Sequence, residues 1–309
     1  MNLIPRDAAA AETPAAPRVE WEEVDCLLCG SPRYAPLLEA PDAGPDGSGL
    51  WFAVVQCRDC GLCFTNPRPS RRSIGRFYPA VYGPHRPPRR GRRAGWRRSR
   101  EERQMIPWHG RGRLLDFGCG GGAYLERMHR QGWDVTGLDV SAAAVECVRT
   151  RLGLRALLGT LPHPELKPAT FDVVTMWHSL EHVHEPLEVL RAAHQLLAPG
   201  GKLLVATPNI DSLPFRWFGQ AWYGLDLPRH LTHFSSRTLR RLLERAGFSA
   251  GPVRMLRYSD WLRSSARLAC QRSPARWPRW LRQKPLAHLT TWYSYLTRQT
   301  DCILVTAER

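Results

Sequence analysis

Four cysteines near the start of the chain form two Cys-x-x-Cys pairs, each followed by a glycine, and this is the spacing of a metal site. The four are Cys26, Cys29, Cys57 and Cys60. Four thiolates surround zinc tetrahedrally and leave no open position, so zinc here would be structural and would not activate water. A loop can absorb the long gap between the pairs. Incidental reduced thiols and an iron–sulfur cluster are the alternatives.

A second group of residues indicates a nucleoside site. Glycines 118, 120 and 122 in Asp116-Phe117-Gly118-Cys119-Gly120-Gly121-Gly122 permit a tight turn and close approach of a ligand to the backbone. Asp139, about 20 positions further on, ends the next predicted strand, where its carboxylate can accept both ribose hydroxyls. Because Asp116 leads the turn, an ammonium-bearing ligand suits it better than a pyrophosphate, which favours S-adenosylmethionine. Such a turn can also be purely structural.

Alternating strands and helices position this turn. The predicted strands are 113–117, 133–139, 154–158, 171–177, 202–207 and 301–307. The predicted helices between and after them are 123–131, 141–152, 186–197 and 236–246. Strands that alternate with helices of about ten residues indicate βαβ units and a parallel sheet, and therefore an α/β fold.

Three stretches, in this order and spacing, resemble class I S-adenosylmethionine-dependent methyltransferases over about residues 109–250. They are the Leu-Leu-Asp-x-Gly-Cys-Gly-x-Gly run from Leu114, Phe171-Asp172-Val173-Val174 with the following Leu180-Glu181-His182-Val183, and the run Leu197–Val205. The resemblance implies a Rossmann-like sheet of seven strands, mostly parallel, with a reversed final strand. It also implies a cofactor site made of Asp116, Gly118, Gly120, Gly122, Asp139, Thr160, Leu161, Trp177 and His178.

Within that implied site the glycines line the methionine portion, Asp139 binds the ribose, and Thr160 and Leu161 lie near the adenine. Together with the stretch Gly61–Pro69, the cysteine module resembles the N-terminal zinc-binding segment of bacterial methyltransferases from sugar and cell-surface polysaccharide pathways. That resemblance implies structural zinc and an acceptor that is a sugar hydroxyl or carbon.

Histidines after the predicted fifth strand are the candidate bases, because an imidazole can take a proton near neutral pH. The stretch Pro228–Ser235 resembles one in sugar C-methyltransferases, and the match makes His230 the first candidate and His233 the second. In that family Tyr-His-Glu comes directly before the matching histidine. Here the three residues before His230 are Leu227-Pro228-Arg229, which puts C-methylation in doubt. Glu181, His182 and His184 are expected at the same rim, in a catalytic or a structural role.

The composition divides the chain into four predicted parts. They are a disordered leader (1–20), a zinc-binding module (21–70), a basic connector (71–108) and the methyltransferase domain (109–309), with a helical insert at about 259–298. The leader lacks the apolar core of a signal peptide, and no run of 18 apolar residues occurs, so we expect a cytoplasmic protein.

The net charge of +16 raises the question of a nucleic-acid partner, but only three of the 44 basic residues are lysines, as a GC-rich genome also produces. Tryptophans and arginines in the insert predict either a lid over the substrate or peripheral contact with a membrane. The favoured hypothesis is methyl transfer to a small-molecule or glycan acceptor. The alternative is a ribosomal RNA methyltransferase whose zinc module binds RNA. The oligomeric state is left open.

Overall fold

The computed structural model describes residues 19–44, 48–78, 112–272 and 282–309. Its central sheet has seven strands: β6 (Arg113–Phe117), β7 (Asp134–Asp139), β8 (Arg155–Leu158), β9 (Phe171–Trp177), β10 (Leu197–Pro208), β12 (Ser249–Leu256) and β13 (Cys302–Glu308). Their order is β12-β13-β10-β9-β6-β7-β8, and β13 runs antiparallel to both of its neighbours. The predicted Rossmann-like sheet with a reversed final strand is confirmed.

Four helices lie at the places that the apolar pattern predicts. They are α1 (Ala123–Arg130), α2 (Ala142–Leu152), α3 (Pro186–Leu196) and α5 (Ser236–Arg245). The short helix α4 (Leu213–Phe218) was not predicted. Ser141 caps α2 by accepting from the Ala144 backbone N–H at 3.2 Å, and Ser235 forms a capping box with Thr238 at the start of α5. Serines just before apolar periodic segments therefore set where these helices begin.

Strand β12 is the strand of the central sheet that the sequence pattern did not predict. It contains Gly251 and Pro252, which disfavour a strand interior. The pairing of β12 with β13 shifts register between Ala250 and Val253, so a bulge accommodates the two residues. Pairing with the buried strand β13 outweighs the local preference.

The cysteine module is joined to the large domain by a shared sheet. Its strands are β1 (Trp21–Glu22), β2 (Tyr34–Pro41), β3 (Trp51–Cys57), β4 (Cys63–Thr65) and β5 (Arg68–Pro69). The strand β11 (Thr232–His233) lies far from the module along the sequence, yet it pairs with β4 and completes the sheet β11-β4-β3-β2. Apolar residues of the module and of the large sheet also pack in one core cluster.

The predicted insert consists of two helices, α6 (Ser259–Arg272) and α7 (Lys284–Leu296), which pack against each other. Trp277 and Trp280 lie outside the described residues, as do most of the predicted leader and of the basic connector beyond Tyr78. In the part of the chain that is described, none of the helices has both the length and the apolar character needed to cross a bilayer.

The buried carboxyl of Asp301 provides a test of this packing. It accepts a hydrogen bond from Trp222 Nε1 at 2.7 Å, and burial raises its pKa to about 7 although that bond favours the charged form. An aspartate in the unfolded chain ionises at about pH 4. Folded Asp301 therefore keeps a proton that the unfolded chain releases, and the free energy of unfolding falls as pH rises from about 4 to 7.

Asp301→Asn keeps an acceptor oxygen for Trp222 and removes the titration. We expect the free energy of unfolding to rise by about 2–4 kcal/mol near pH 8 and to change little near pH 4. Urea denaturation at the two pH values measures this difference. A substitution that destabilises the protein equally at both would contradict the assignment.

Candidate functional site

A cavity of about 2920 Å³ lies at the carboxyl ends of the parallel strands. Ligands of open α/β sheets bind at this edge, because the loops that leave the strands converge there. The predicted cofactor residues on its wall are Gly118, Gly120, Asp139, Thr160, Leu161, Trp177 and His178. The structure therefore brings together seven of the nine residues.

Asp139 is held in place by the turn that it faces. Its Oδ2 accepts the Gly120 N–H at 2.8 Å, and its Oδ1 accepts the Ser141 N–H at 2.8 Å. Each carboxylate oxygen can accept more than one hydrogen bond, so both remain able to bind ribose hydroxyls. The local structure thus orients the carboxylate for the predicted contact.

Two of the predicted cofactor residues do not lie on the wall. Gly122 begins α1 at a φ of +80°, and a Cβ there would lie 2.6 Å from Leu152 and 2.8 Å from Val148. The close packing of the two helices therefore requires a glycine at this position, and its predicted role at the methionine portion stays a prediction. Asp116 is buried behind the turn and accepts from Thr175 Oγ1 at 2.7 Å, and burial raises its pKa to about 7.

Several buried polar atoms at one end of the cavity have no hydrogen-bond partner among the described residues. They are Trp177 Nε1, His178 Nδ1, Ser179 Oγ and both carboxylate oxygens of Glu181, although His178 Nδ1 and Glu181 Oε1 face each other at 3.5 Å. His178 also adopts a φ of +51°, a conformation that is strained for a residue with a side chain. Unpaired buried polar groups are costly, and they are expected where a ligand completes the hydrogen bonding. The residues present therefore fit a bound nucleoside cofactor.

Glu181, His182, Asp226 and His230 form what we call the acid–histidine cluster, and all four line the cavity. His230 Nδ1 lies 2.9 Å from the Gly224 carbonyl oxygen, so it carries the hydrogen and leaves the lone pair on Nε2. Nε2 lies 3.9 Å from Glu181 Oε1 and 3.8 Å from Asp226 Oδ2. The imidazole is thus oriented by the backbone and faces two carboxylates.

Burial and neighbouring charges set the ionisation of this cluster. Burial opposes the charge on Glu181, yet His178 and His230 hold the pKa of its carboxyl below the usual value. Burial, with His230 nearby, lowers the pKa of His182 to about 4. The ligand atoms of Glu181, His182 and His230 all lie within 4.8 Å of one another, so these side chains can also hold a divalent ion.

The second candidate base, His233, lies away from the cavity. It belongs to β11, and its Nε2 is 3.2 Å from Thr65 Oγ1 in the sheet shared with the cysteine module. Burial lowers its pKa to about 3. The structure therefore does not bring His233 to the cavity wall with His230.

Sequence reasoning did not select Asp226 or the aromatic wall. Asp226 precedes His230 by four residues and sits in a left-handed turn at a φ of 39°, an arrangement with no motif of its own. Tyr258, just before helix α6, and Trp261, on its first turn, stack at 5.5 Å and line the cavity. The sequence shows that the insert is rich in aromatic residues, but it does not show where the insert lies in the fold.

The four paired cysteines meet at one point. Cys26 Sγ lies 3.4 Å from Cys60 Sγ, Cys29 Sγ lies 3.6 Å from Cys57 Sγ, and all four sulfurs are within 4.8 Å of one another. Sulfurs bound to one zinc ion at about 2.3 Å are separated by about 3.8 Å in a tetrahedron. After each pair, the glycine N–H bonds back to the first cysteine's carbonyl oxygen, at 2.7 Å for Gly30 and 3.0 Å for Gly61. The donor set fits a structural zinc ion.

The cysteine module also supports the acid–histidine cluster directly. Thr65 Oγ1 donates to the His230 carbonyl oxygen at 2.8 Å, and the Thr65 N–H donates to the Leu231 carbonyl oxygen at 3.0 Å. The Leu231 N–H then donates to the Glu181 carbonyl oxygen at 2.8 Å. One strand of the module therefore holds the backbone of His230 and Leu231, and Leu231 in turn holds the backbone of Glu181.

Asp139→Ala tests the predicted ribose contact. The substitution removes both ribose hydrogen bonds and leaves the Gly120 and Ser141 N–H groups without their acceptor, so we expect the Kd for S-adenosylmethionine to rise by about 100-fold or more. Isothermal titration calorimetry measures it. Asp134→Ala is the matched control, because Asp134 is exposed at the start of the same strand. Equal affinities of the two variants would refute the contact.

Comparison with known proteins agrees with this geometry. The family model described as "Methyltransferase domain" matches residues 87–250, just over half of the chain. A ubiquinone biosynthesis O-methyltransferase of Xanthomonas euvesicatoria is 33% identical over 169 residues, which cover 51% of this chain and 70% of the relative. One from Vibrio cholerae is 42% identical over 103 residues, or 31% of this chain and 42% of the relative. The chain thus spans about two fifths of the length of that relative.

Among solved structures, a Haloferax volcanii complex between the Trm112 methyltransferase activator and a methyltransferase contains a chain with a TM-score of 0.52. It is 17% identical and is covered over 88% of its length by 69% of this chain. At this identity the likeness supports the fold alone. The two relatives named above are ubiquinone biosynthesis O-methyltransferases, and their names do not support the glycan acceptor expected from the cysteine module.

Proposed function

Because the chain belongs to the S-adenosylmethionine-dependent methyltransferases, we propose that it methylates a hydroxyl group of a small-molecule acceptor. The observation that carries the proposal is the acid–histidine cluster on the cavity wall, where the oriented His230 faces the buried carboxylate of Glu181. A hydroxyl is a weak nucleophile, and a positioned base raises its reactivity by about 10²–10⁴-fold.

Bound S-adenosylmethionine supplies an electrophilic methyl group. Gly118, Gly120 and Asp139 would hold it at the strand ends. His230 Nε2 accepts the hydroxyl proton of the acceptor as the acceptor oxygen becomes a nucleophile. The carboxylate of Glu181 stabilises the imidazolium that forms, since the two groups are 3.9 Å apart and both side chains are buried.

The cavity wall supports an acceptor with a ring and an apolar part. Tyr223, Tyr258, Trp261 and Trp292 line it, and aromatic side chains stack on phenols and on the apolar faces of sugar rings. The name shared by the two curated relatives, ubiquinone biosynthesis O-methyltransferase, supports oxygen as the acceptor atom. We therefore favour O-methylation over C-methylation and place phenols before sugars among the acceptors to test.

The experiment uses the purified full chain and S-adenosylmethionine labelled in the methyl group. Catechols and other phenols, sugar nucleotides and ribosomal RNA are offered in parallel, and product mass spectrometry locates the methyl group. We expect an oxygen-linked methyl group on a ring-bearing small molecule. Labelling of RNA alone would favour the alternative function, and a methyl group found on carbon would overturn the proposal.

A further inference from the structure

Helix α7 has its large apolar side chains on the outside. Leu289 is 64% exposed, Trp292 42%, Tyr293 58% and Leu296 73%. We call these four residues the docking stripe, because the spacing i, i+3, i+4 and i+7 puts them on one face of the helix. The opposite face, which packs into the protein, presents the small residues Ala287, Thr291 and Ser294. A helix of a soluble protein normally buries its apolar face, so this one is inverted.

The charge around the docking stripe is strongly positive. The described residues between 257 and 298 include seven lysines and arginines and a single acidic residue, Asp260. Lys284 and Arg298 are exposed at the two ends of α7. The Arg257 guanidinium lies 3.9 Å above the ring of Trp292, so a cation also accompanies the stripe itself.

We propose that the docking stripe is the surface by which this protein binds an anionic lipid bilayer. Leucine side chains gain free energy by leaving water for the acyl boundary, tryptophan and tyrosine rings favour the interface, and the surrounding cations are attracted to anionic headgroups. An exposed apolar stripe framed by basic residues satisfies all three requirements on one helix.

Other occupants fit the stripe less well. A second copy would bring two strongly basic surfaces together, which like-charge repulsion disfavours. A nucleic acid would use the cations and the aromatic rings, but it offers nothing apolar to Leu289 and Leu296. Charge complementarity and apolar exposure together therefore select an anionic membrane.

The docking stripe is continuous with the cavity. Leu289, Trp292 and Leu296 lie on the cavity wall, whereas Tyr293 points away from it. A protein docked through this stripe therefore has its cavity open beside the bilayer. If the proposed function holds, an acceptor that partitions into membranes reaches the acid–histidine cluster from the lipid side. The docking itself does not depend on which molecule is methylated.

Vesicle co-sedimentation of the full chain tests the proposal. We expect binding to phosphatidylcholine vesicles that contain phosphatidylglycerol, weaker binding to phosphatidylcholine alone, and weakening of the former by added salt. The double substitution Leu289→Ser with Tyr293→Ser is expected to lower the affinity by about tenfold or more, because it removes apolar and aromatic anchors. Lys284→Glu should reduce only the part that depends on the anionic lipid.

Leu158→Ser is the matched control, because Leu158 is 51% exposed on the edge strand β8, outside the cavity. Thermal melting of each variant establishes that the fold is intact. Equal vesicle binding by the double variant and the control would overturn the proposal. So would wild-type protein that leaves the vesicles unbound while forming a stable dimer or binding an oligoribonucleotide. A vesicle result stands whether or not any phenol or sugar is methylated.

Discussion

His230→Gln is expected to lower kcat by about 10²–10⁴-fold while the Kd for S-adenosylmethionine stays within about twofold. Glutamine can keep a hydrogen bond to the Gly224 carbonyl oxygen, which His230 Nδ1 now contacts at 2.9 Å, but it has no basic nitrogen. The loss therefore reports proton acceptance rather than collapse of the loop. Single-turnover methyl transfer, measured with the acceptor found in the product assay, gives the rate.

The control for this prediction is His129→Gln, since His129 is exposed on α1 and lies outside the cavity wall. Glu181→Gln should also lower kcat, and the double variant should fall little below His230→Gln, because the carboxylate acts through the imidazolium. A His230→Gln enzyme with wild-type kcat would remove His230 from the mechanism.

Loss of the metal from the four-cysteine site is expected to have the second large effect, on stability and on activity together. Structural zinc sites contribute about 10–16 kcal/mol in small zinc fingers, and we expect several kcal/mol here, because the module also packs on the large sheet. Cys57→Ser should bind less than stoichiometric zinc, melt at lower temperature and lose kcat. The activity falls because β4 carries Thr65, which holds the His230 and Leu231 backbone.

Mass spectrometry of the metal content, thermal unfolding with and without a strong chelator, and the methyl-transfer rate measure the three effects. Cys147→Ser is the control, because this half-buried thiol lies on α2 and outside the metal site. Wild-type protein that contains no zinc, or a Cys57→Ser variant that melts like the control, would contradict the assignment. A variant that loses zinc but keeps kcat would show that the module stabilises the fold without positioning His230.

The residues of the predicted cofactor site could largely be predicted from the sequence, because they lie close together along the chain. A strand, a glycine turn and a helix follow one another in the chain, and the next strand ends at Asp139, so Gly120 and Asp139 meet by short-range connection. The structure gives Gly122 a second reason to be a glycine. Its positive φ is a local property, but whether its bare Cα faces a ligand or a neighbouring helix depends on how α2 packs against it.

The candidate base illustrates the opposite case. His230 and His233 are three residues apart, and the sequence offers both as bases. Only the pairing of β11 with β4 decides between them, because it encloses His233 against Thr65 and leaves His230 on the cavity wall. That pairing joins segments more than 160 residues apart, and no periodicity within either segment encodes it.

The sequence by itself therefore determined the fold class, the glycine turn with Asp139, and the four cysteine ligands, because each depends on residues close together or on a repeated local motif. The tertiary structure alone decided which histidine lines the cavity, where Glu181 and Asp226 converge, and which face of α7 is exposed. These features depend on long-range packing. A side chain's role there is set by what lies opposite it, and short-range sequence patterns do not record the opposing surface.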